Sequence, residues 1–185
     1  KYKFKKTELE KIKAELLKDI IDQLEAGFDE PDVETSVEKE LGDIYAEDNF
    51  EEVSPSGETS NKRFIDAISE GLKVSLDRHK DLIIMGQDIA EYGGAFKITD
   101  GFLKKYGKER IRNTPICESA IVGMGLGLSL KGIKSVVEMQ FADFVSCGFN
   151  QIVNNLAKLN YRWGQNADVV IRMPTGAGTG AGPFH

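Results

Sequence analysis

The residues best placed to do chemistry lie in the run Thr114-Pro115-Ile116-Cys117-Glu118-Ser119-Ala120. Pro115 ends an extended segment, and Glu118 opens a stretch with no other charge through Leu130. A carboxylate at the start of a helix ordinarily answers the positive end of the helix dipole. Withdrawn from water it has a second use: its pKa rises and it can exchange a proton with a bound heterocycle. Gln140, within Glu138-Met139-Gln140-Phe141-Ala142-Asp143-Phe144, carries an amide into an apolar setting where it needs partners. Phe141 and Phe144 beside it read as packing groups. Gly86-Gln87-Asp88-Ile89 follows an apolar run, and in open α/β sheets ligands collect at the carboxyl ends of strands. Gly123, Gly125 and Gly127 mimic a nucleotide fingerprint but have the wrong spacing and sit inside an apolar helix pattern. Gly123 and Gly127, one turn apart, leave a smooth groove and predict close packing against another backbone across a subunit interface. Cys117 and Cys147 are isolated thiols without ligand spacing, which suits a reducing compartment.

The elements that must hold these groups follow from periodicity. Phe64, Ile68, Leu72 and Leu76 are four apart and predict a helix beginning near Asn61, with His79 at its solvated end. Leu82 to Met85, ending at Gly86, is a buried strand, as are Ser135 to Met139 and Val169 to Arg172. A short helix is expected over Phe102 to Tyr106, and longer ones over Ala120 to Leu130 and Phe149 to Asn160. Helices alternating with fully apolar strands predict an α/β domain with a mainly parallel sheet flanked by helices.

Upstream the character changes. Residues 1–60 carry 8 Lys/Arg against 18 Asp/Glu, whereas residues 61–185 carry 16 against 12. Leu9, Ile12, Leu16, Ile20 and Leu24 recur at helical spacing behind a capping-box pattern at Thr7, and Gly27 predicts the stop. Thr35-Ser36-Val37-Glu38 offers a second capping box towards Tyr45. The organisation expected is a helical segment over 1–46, an acidic, hydroxyl-rich linker over 47–60, and an incomplete globular domain over 61–185. Basic stripes with interleaved aromatics are missing from the sequence, which sets nucleic-acid binding aside. The apolar stretches are short and broken by charge or glycine, so no membrane partner is expected.

Read together, GQDIAEYGGAFKITDGFLKKYGKERIRNTPICESAIVG, VVEMQFADF and FNQIVNNLAKLNYRWG resemble the β subunit of the decarboxylating component of thiamine-diphosphate-dependent 2-oxo acid dehydrogenases. The acidic segment is similar to the tail of the partner α subunit, down to LGDIYAED. That order implies an α–β fusion entered late in the α portion, in keeping with a chain that begins at Lys1 rather than Met.

The resemblance implies a pyrimidine-binding domain for thiamine diphosphate, with Glu118 touching N1′ of the aminopyrimidine and favouring the tautomer that activates the thiazolium carbon. Ile116 corresponds to an apolar residue packed near the pyrimidine, and Gln140 to a residue contacting the cofactor. Phe144 stands where related sequences often have tyrosine, so only ring packing remains. His185 matches an active-site histidine that handles protons during transfer to the lipoyl group. The carbonyls of Ala167, Val169 and Val170 resemble part of a structural potassium (K+) site. Gln87 stands where many relatives have glutamate. The Gly-Asp-Gly motif for diphosphate and Mg2+ belongs to the α portion.

The implied partners are that α portion, a second β module and a lipoyl-bearing acyltransferase, in the cytoplasm of a bacterium or the mitochondrial matrix of a eukaryote. The implied reaction is oxidative decarboxylation of a 2-oxo acid with acyl transfer to a lipoyl domain, this chain by itself being inactive. QFADF and NYRWG favour the branched-chain (2-oxoisovalerate) type. The alternatives are pyruvate dehydrogenase, a transketolase-like or deoxyxylulose-phosphate-synthase-like enzyme, and a non-catalytic assembly piece.

Overall fold

The computed structural model describes residues 5–47, 51–176 and 180. Two compact units are resolved, Lys1–Glu40 and Leu41–His185. The first is built on α1 (Lys6–Asp29), whose apolar stripe of Leu9, Ile12, Leu16, Ile20 and Leu24 is exposed along its length. The helix differs from its expected bounds at both ends. It starts before Thr7, where the Lys5 backbone N–H donates to the Glu8 carboxylate at 3.1 Å. It also runs through Gly27 and stops only ahead of Pro31, because Glu30 precedes a proline and is held extended (φ −68°, ψ 143°). The next helix, α2 (Val37–Gly42), is capped by Ser36, whose hydroxyl accepts the Lys39 N–H at 3.2 Å.

The second unit is a four-stranded sheet, every pair parallel, in the order β2-β1-β3-β4. The strands are β1 (Ile83–Gly86), β2 (Ile111–Asn113), β3 (Ser135–Glu138) and β4 (Val169–Arg172). The expected α/β architecture, a parallel sheet flanked by helices, is the observed one. Strands β1, β3 and β4 fall where they were expected, but β4 is an edge strand and is not buried: Val170 is exposed and its neighbours are half-buried. The edge strand β2 was legible only as an extended segment before Pro115, since its sequence Ile-Arg-Asn puts one apolar residue inward and leaves two exposed.

Helix α3 (Phe64–Arg78) and the short α4 (Phe102–Tyr106) pack on one side, where Leu76, Leu82, Ile84, Ile89, Phe102, Ile111 and Val136 form the main core. Phe64 is 80% exposed, so the buried face of α3 begins further along than the fourfold spacing suggested. A second cluster of Met85, Ile121 and Val137 joins the sheet to α5 (Glu118–Ser129).

Gly125 is what lets α5 lie close to the sheet. A Cβ there would meet Val137 and Val169 side chains at 3.0 Å, while one at Gly127 would meet nothing within 4 Å. Gly125 thus packs inside the chain, while Gly127, one of the two glycines expected to form a groove for another backbone, borders open space. The expected long helix from Phe149 is instead α6 (Val145–Gln151), a π-turn over Ile152–Leu156, and α7 (Leu159–Trp163). Such wide turns insert where packing rather than periodicity dictates the register.

In register across the sheet, Asn113, Gly86, Glu138 and Arg172 form one row at the carboxyl ends of the strands. Gly86 is forced by its neighbour. An added Cβ would sit 2.6 Å from the Glu138 carbonyl oxygen and 2.9 Å from the Glu138 Cβ. The variant Gly86→Ala is therefore expected to lose about 1–3 kcal/mol of stability, the usual cost of overpacking, read as a lowered urea midpoint. An unchanged midpoint would show that the row can spread at no cost.

Candidate active site

Residue 118 reaches its position through three local features. The Thr114 N–H donates to the Gly86 carbonyl at 2.9 Å, tying the chain leaving β2 to the end of β1. Pro115 then prevents an immediate helix, and Cys117, extended at φ −159°, turns the chain into α5. Gly148 of α6 presses on this turn: a Cβ there would lie 2.8 Å from Met139 and 3.4 Å from the Glu118 carbonyl oxygen. The Glu118 side chain, 8% exposed, is thereby withdrawn from solvent at the first turn of an apolar helix.

Its partner is Gln87. That side chain is also buried, and its Nε2 donates to Glu118 Oε1 at 3.0 Å, between residues 31 apart in sequence. Among the described residues no donor reaches Oε2. A buried carboxylate with one oxygen held by a neutral amide and the other unclaimed can receive a protonated or N–H-bearing ring.

The cleft that holds Gln140 is lined by neither Gln87 nor Glu118. Gln140 is half-buried and lines a cleft of about 220 Å3 with Asp88, Tyr92, Gly94, Phe96 and Phe141. Phe144 is half-buried too, its ring edge-on to Phe141 at 6.1 Å between centroids. Ile116, two residues before Glu118, is 83% exposed. Ala167 and Val169 are half-buried and Val170 exposed, leading into and along β4. His185 lies outside the described residues.

The loop after β1 carries unusual backbone geometry. Asp88, Phe96 and Lys97 have φ of 54°, 59° and 59°, all outside the range such residues prefer. Two bonds tie the loop down: Lys97 donates to the Tyr92 carbonyl at 2.6 Å, and the Thr99 hydroxyl to the Ile89 carbonyl at 2.7 Å.

One feature of this edge escaped the sequence reading. Glu138 is 1% exposed, and Arg172 on the neighbouring strand donates from Nε to its Oε2 at 3.0 Å. Arg172 Nη2 lies 2.5 Å from the same oxygen without the angle of a second hydrogen bond. Glu138 Oε1 is left buried and unpartnered, facing Gly94. Burial holds the Glu138 carboxyl above the usual range, against the opposing pull of Arg172. The available signal was a charge of opposite sign ending each of two apolar strands, SVVE and VVIR. On the other flank Asn113 secures the loop, accepting the Ala90 N–H at 2.8 Å and donating to Glu91 at 2.7 Å.

Comparison with known proteins gives a consistent picture. The family described as "Transketolase, pyrimidine binding domain" matches residues 61–185. The 2-oxoisovalerate dehydrogenase subunit beta of Bacillus subtilis is 38% identical over 124 residues, covering 66% of this chain and 38% of that protein. The pyruvate dehydrogenase E1 component subunit beta of Staurastrum punctulatum is 40% identical over 128 residues, covering 68% of this chain and 39% of that protein. A chloroplastic pyruvate dehydrogenase E1 subunit, beta-3 of Arabidopsis thaliana, is 41% identical over 122 residues, covering 65% and 30%. The chain thus spans less than two-fifths of the length of these curated relatives. Among the described residues, no helix is long and apolar enough to cross a membrane.

The raised Glu138 carboxyl has a pH consequence. The folded chain holds this proton more tightly than the unfolded chain does, so the group's contribution is largest at acid pH. It is lost as pH rises through the folded value. The stability of the native sequence relative to Glu138→Gln should therefore shrink as pH is raised from about 4 towards neutrality, followed by urea unfolding at successive pH values. A difference that grows with pH would mean that Arg172, not burial, dominates.

Proposed function

Because this chain belongs to the transketolase pyrimidine-binding domain family, we propose that it supplies the aminopyrimidine half of a thiamine-diphosphate site in a 2-oxo acid dehydrogenase. The observation that carries this reading is the buried Glu118 carboxylate, held through Oε1 by Gln87 and without a donor at Oε2 among the described residues. When bound, the cofactor supplies the nucleophilic carbon and the electron sink that decarboxylation requires. The protein's own part is narrower. Glu118 holds a proton at a ring nitrogen, its carboxyl kept in place by the amide beside it. Gln140, at the cleft with Asp88 and Phe96, offers an amide to the polar edge of the ring or substrate, and Phe144 reaches the same wall through Phe141. Ile116, exposed near Glu118, is free to be covered by the pyrimidine or a neighbouring chain.

The rest of the reading concerns the whole protein. Residues 1–46 form the tail of an α portion that carries the diphosphate and Mg2+ ligands, joined by the 47–60 segment to the β portion. The exposed apolar stripe of α1 supports this, since such a face is stable only when covered. His185 serves proton transfer towards a lipoyl group on an acyltransferase, a second β module completes the assembly, and the carbonyls of Ala167, Val169 and Val170 contribute to a K+ site. The cytoplasm or mitochondrial matrix is the compartment proposed. QFADF and NYRWG favour 2-oxoisovalerate as substrate, while relatives named for either 2-oxo acid are similar to this chain at 36–41% identity.

Two experiments on the assembled enzyme test this. Glu118→Gln should cut 2-oxo-acid-dependent reduction of an artificial electron acceptor by roughly 100-fold or more, with circular dichroism and assembly unchanged. Native-like turnover would remove Glu118 from the chemistry. For the substrate, kcat/KM for 2-oxoisovalerate should exceed that for pyruvate by about 10-fold or more, the discrimination typical of a pocket that fits extra methyl groups. A preference for pyruvate would reverse the branched-chain assignment.

A further inference from the structure

Gln87 is usually an unremarked residue type at a strand end, yet here it is one of the few buried polar side chains, and its Nε2 lies 3.0 Å from Glu118 Oε1. We propose that Gln87 is a positioning residue that fixes the Glu118 side chain in one orientation, occupying Oε1 and reserving Oε2 for the ring nitrogen of a bound heterocycle. The inference rests on the role given to Glu118 above and extends it to a second residue.

Three observations carry it. The contact joins separate elements: Gln87 leaves the end of β1, whereas Glu118 opens α5. The Thr114 N–H bond to the Gly86 carbonyl fixes those two backbones beside each other. Strand pairing of Gly86 with both Asn113 and Glu138 also gives Gln87 a rigid base. Finally, an amide has both a donor and an acceptor end. Its N–H₂ serves the carboxylate, and after rotation its carbonyl oxygen can accept from the carboxylic acid. A group that must take up and release a proton thus keeps a partner in both states without a neighbouring charge that would lock it in one. A second carboxylate at position 87 would behave differently, since two carboxyl groups at this distance cannot both ionise readily. An apolar group would leave Oε1 buried with no donor.

The test uses the assembled, cofactor-free protein labelled with 13C-carboxyl glutamate. Infrared difference spectra follow titration of Glu118, with Glu118→Gln identifying its band. Gln87→Leu should move the Glu118 midpoint upward by about one pH unit or more, because a hydrogen bond to the charged form is lost. Gln87→Glu, close to isosteric, should replace the single step by two coupled ones. The loaded enzyme should show the corresponding displacement of its pH profile, with kcat reduced more than KM for the 2-oxo acid.

Native titration in both variants would overturn the proposal. So would two variants that are merely less stable with unshifted midpoints, since a packing role predicts that result. The underlying reading fails separately: if Glu118→Gln is fully active, Glu118 has no catalytic role, whatever the titration of Glu118 shows. If that variant is inactive while the Gln87 variants titrate as native, Glu118 stands and Gln87 does not position it.

Discussion

A carboxylate leaves water only where the fold replaces what it loses, and the way Glu118 is compensated governs everything around it. The α5 helix supplies the positive end of its dipole, and Gln87 supplies one hydrogen bond. Neither is a full countercharge. The group is therefore held in place but remains able to respond to a cation or N–H donor arriving from outside the chain. To keep that balance, the end of β1, the start of α5 and the packing face of α6 must stay fixed relative to one another. The bond from Thr114 to the Gly86 carbonyl and the close approach at Gly148 accomplish this.

Glycines let neighbouring elements approach closely at three separate contacts. Gly86 admits Glu138, Gly125 brings α5 onto β3 and β4, and Gly148 brings α6 against Met139 and Val122. An added methyl group would meet backbone at Gly86, the Val137 and Val169 side chains at Gly125, and the flexible tip of Met139 at Gly148. Their combined effect is a compact edge at the carboxyl ends of the strands. Polar side chains gather there because the strands themselves are apolar and end together in register.

Much of this was legible in the sequence, and the gaps have physical causes. Short apolar stretches located β1, β3 and β4, although only β1 and β3 are largely buried. Edge strand β2 carries only one inward residue, so it left no such run. Glu118 stood out because charge is otherwise absent from its helix. Its contact with Gln87 was invisible, because the two residues are 31 apart in sequence and belong to separate elements. The ends of α1 were misplaced for a simpler reason: glycine permits a helix to end but does not compel it, whereas the residue before Pro31 is compelled. The break in the helix after Gln151 depends on packing that no periodicity reports.

Two buried carboxylates at one sheet edge, partnered in opposite ways, give the clearest indication of where the chemistry lies. Glu138 faces Arg172, a permanent cation on the next strand that is itself mostly buried. Such a pair is committed: its charge is answered inside the chain, and removing either member strands the other. Glu118 faces a neutral amide, and its charge is answered only in part. A protonated ring would gain more at Glu118, whose one partner is a neutral amide, than at Glu138, where a permanent cation already sits on Oε2. The difference in partner, not in burial, separates a carboxylate that holds the sheet edge together from one poised to act on a ligand.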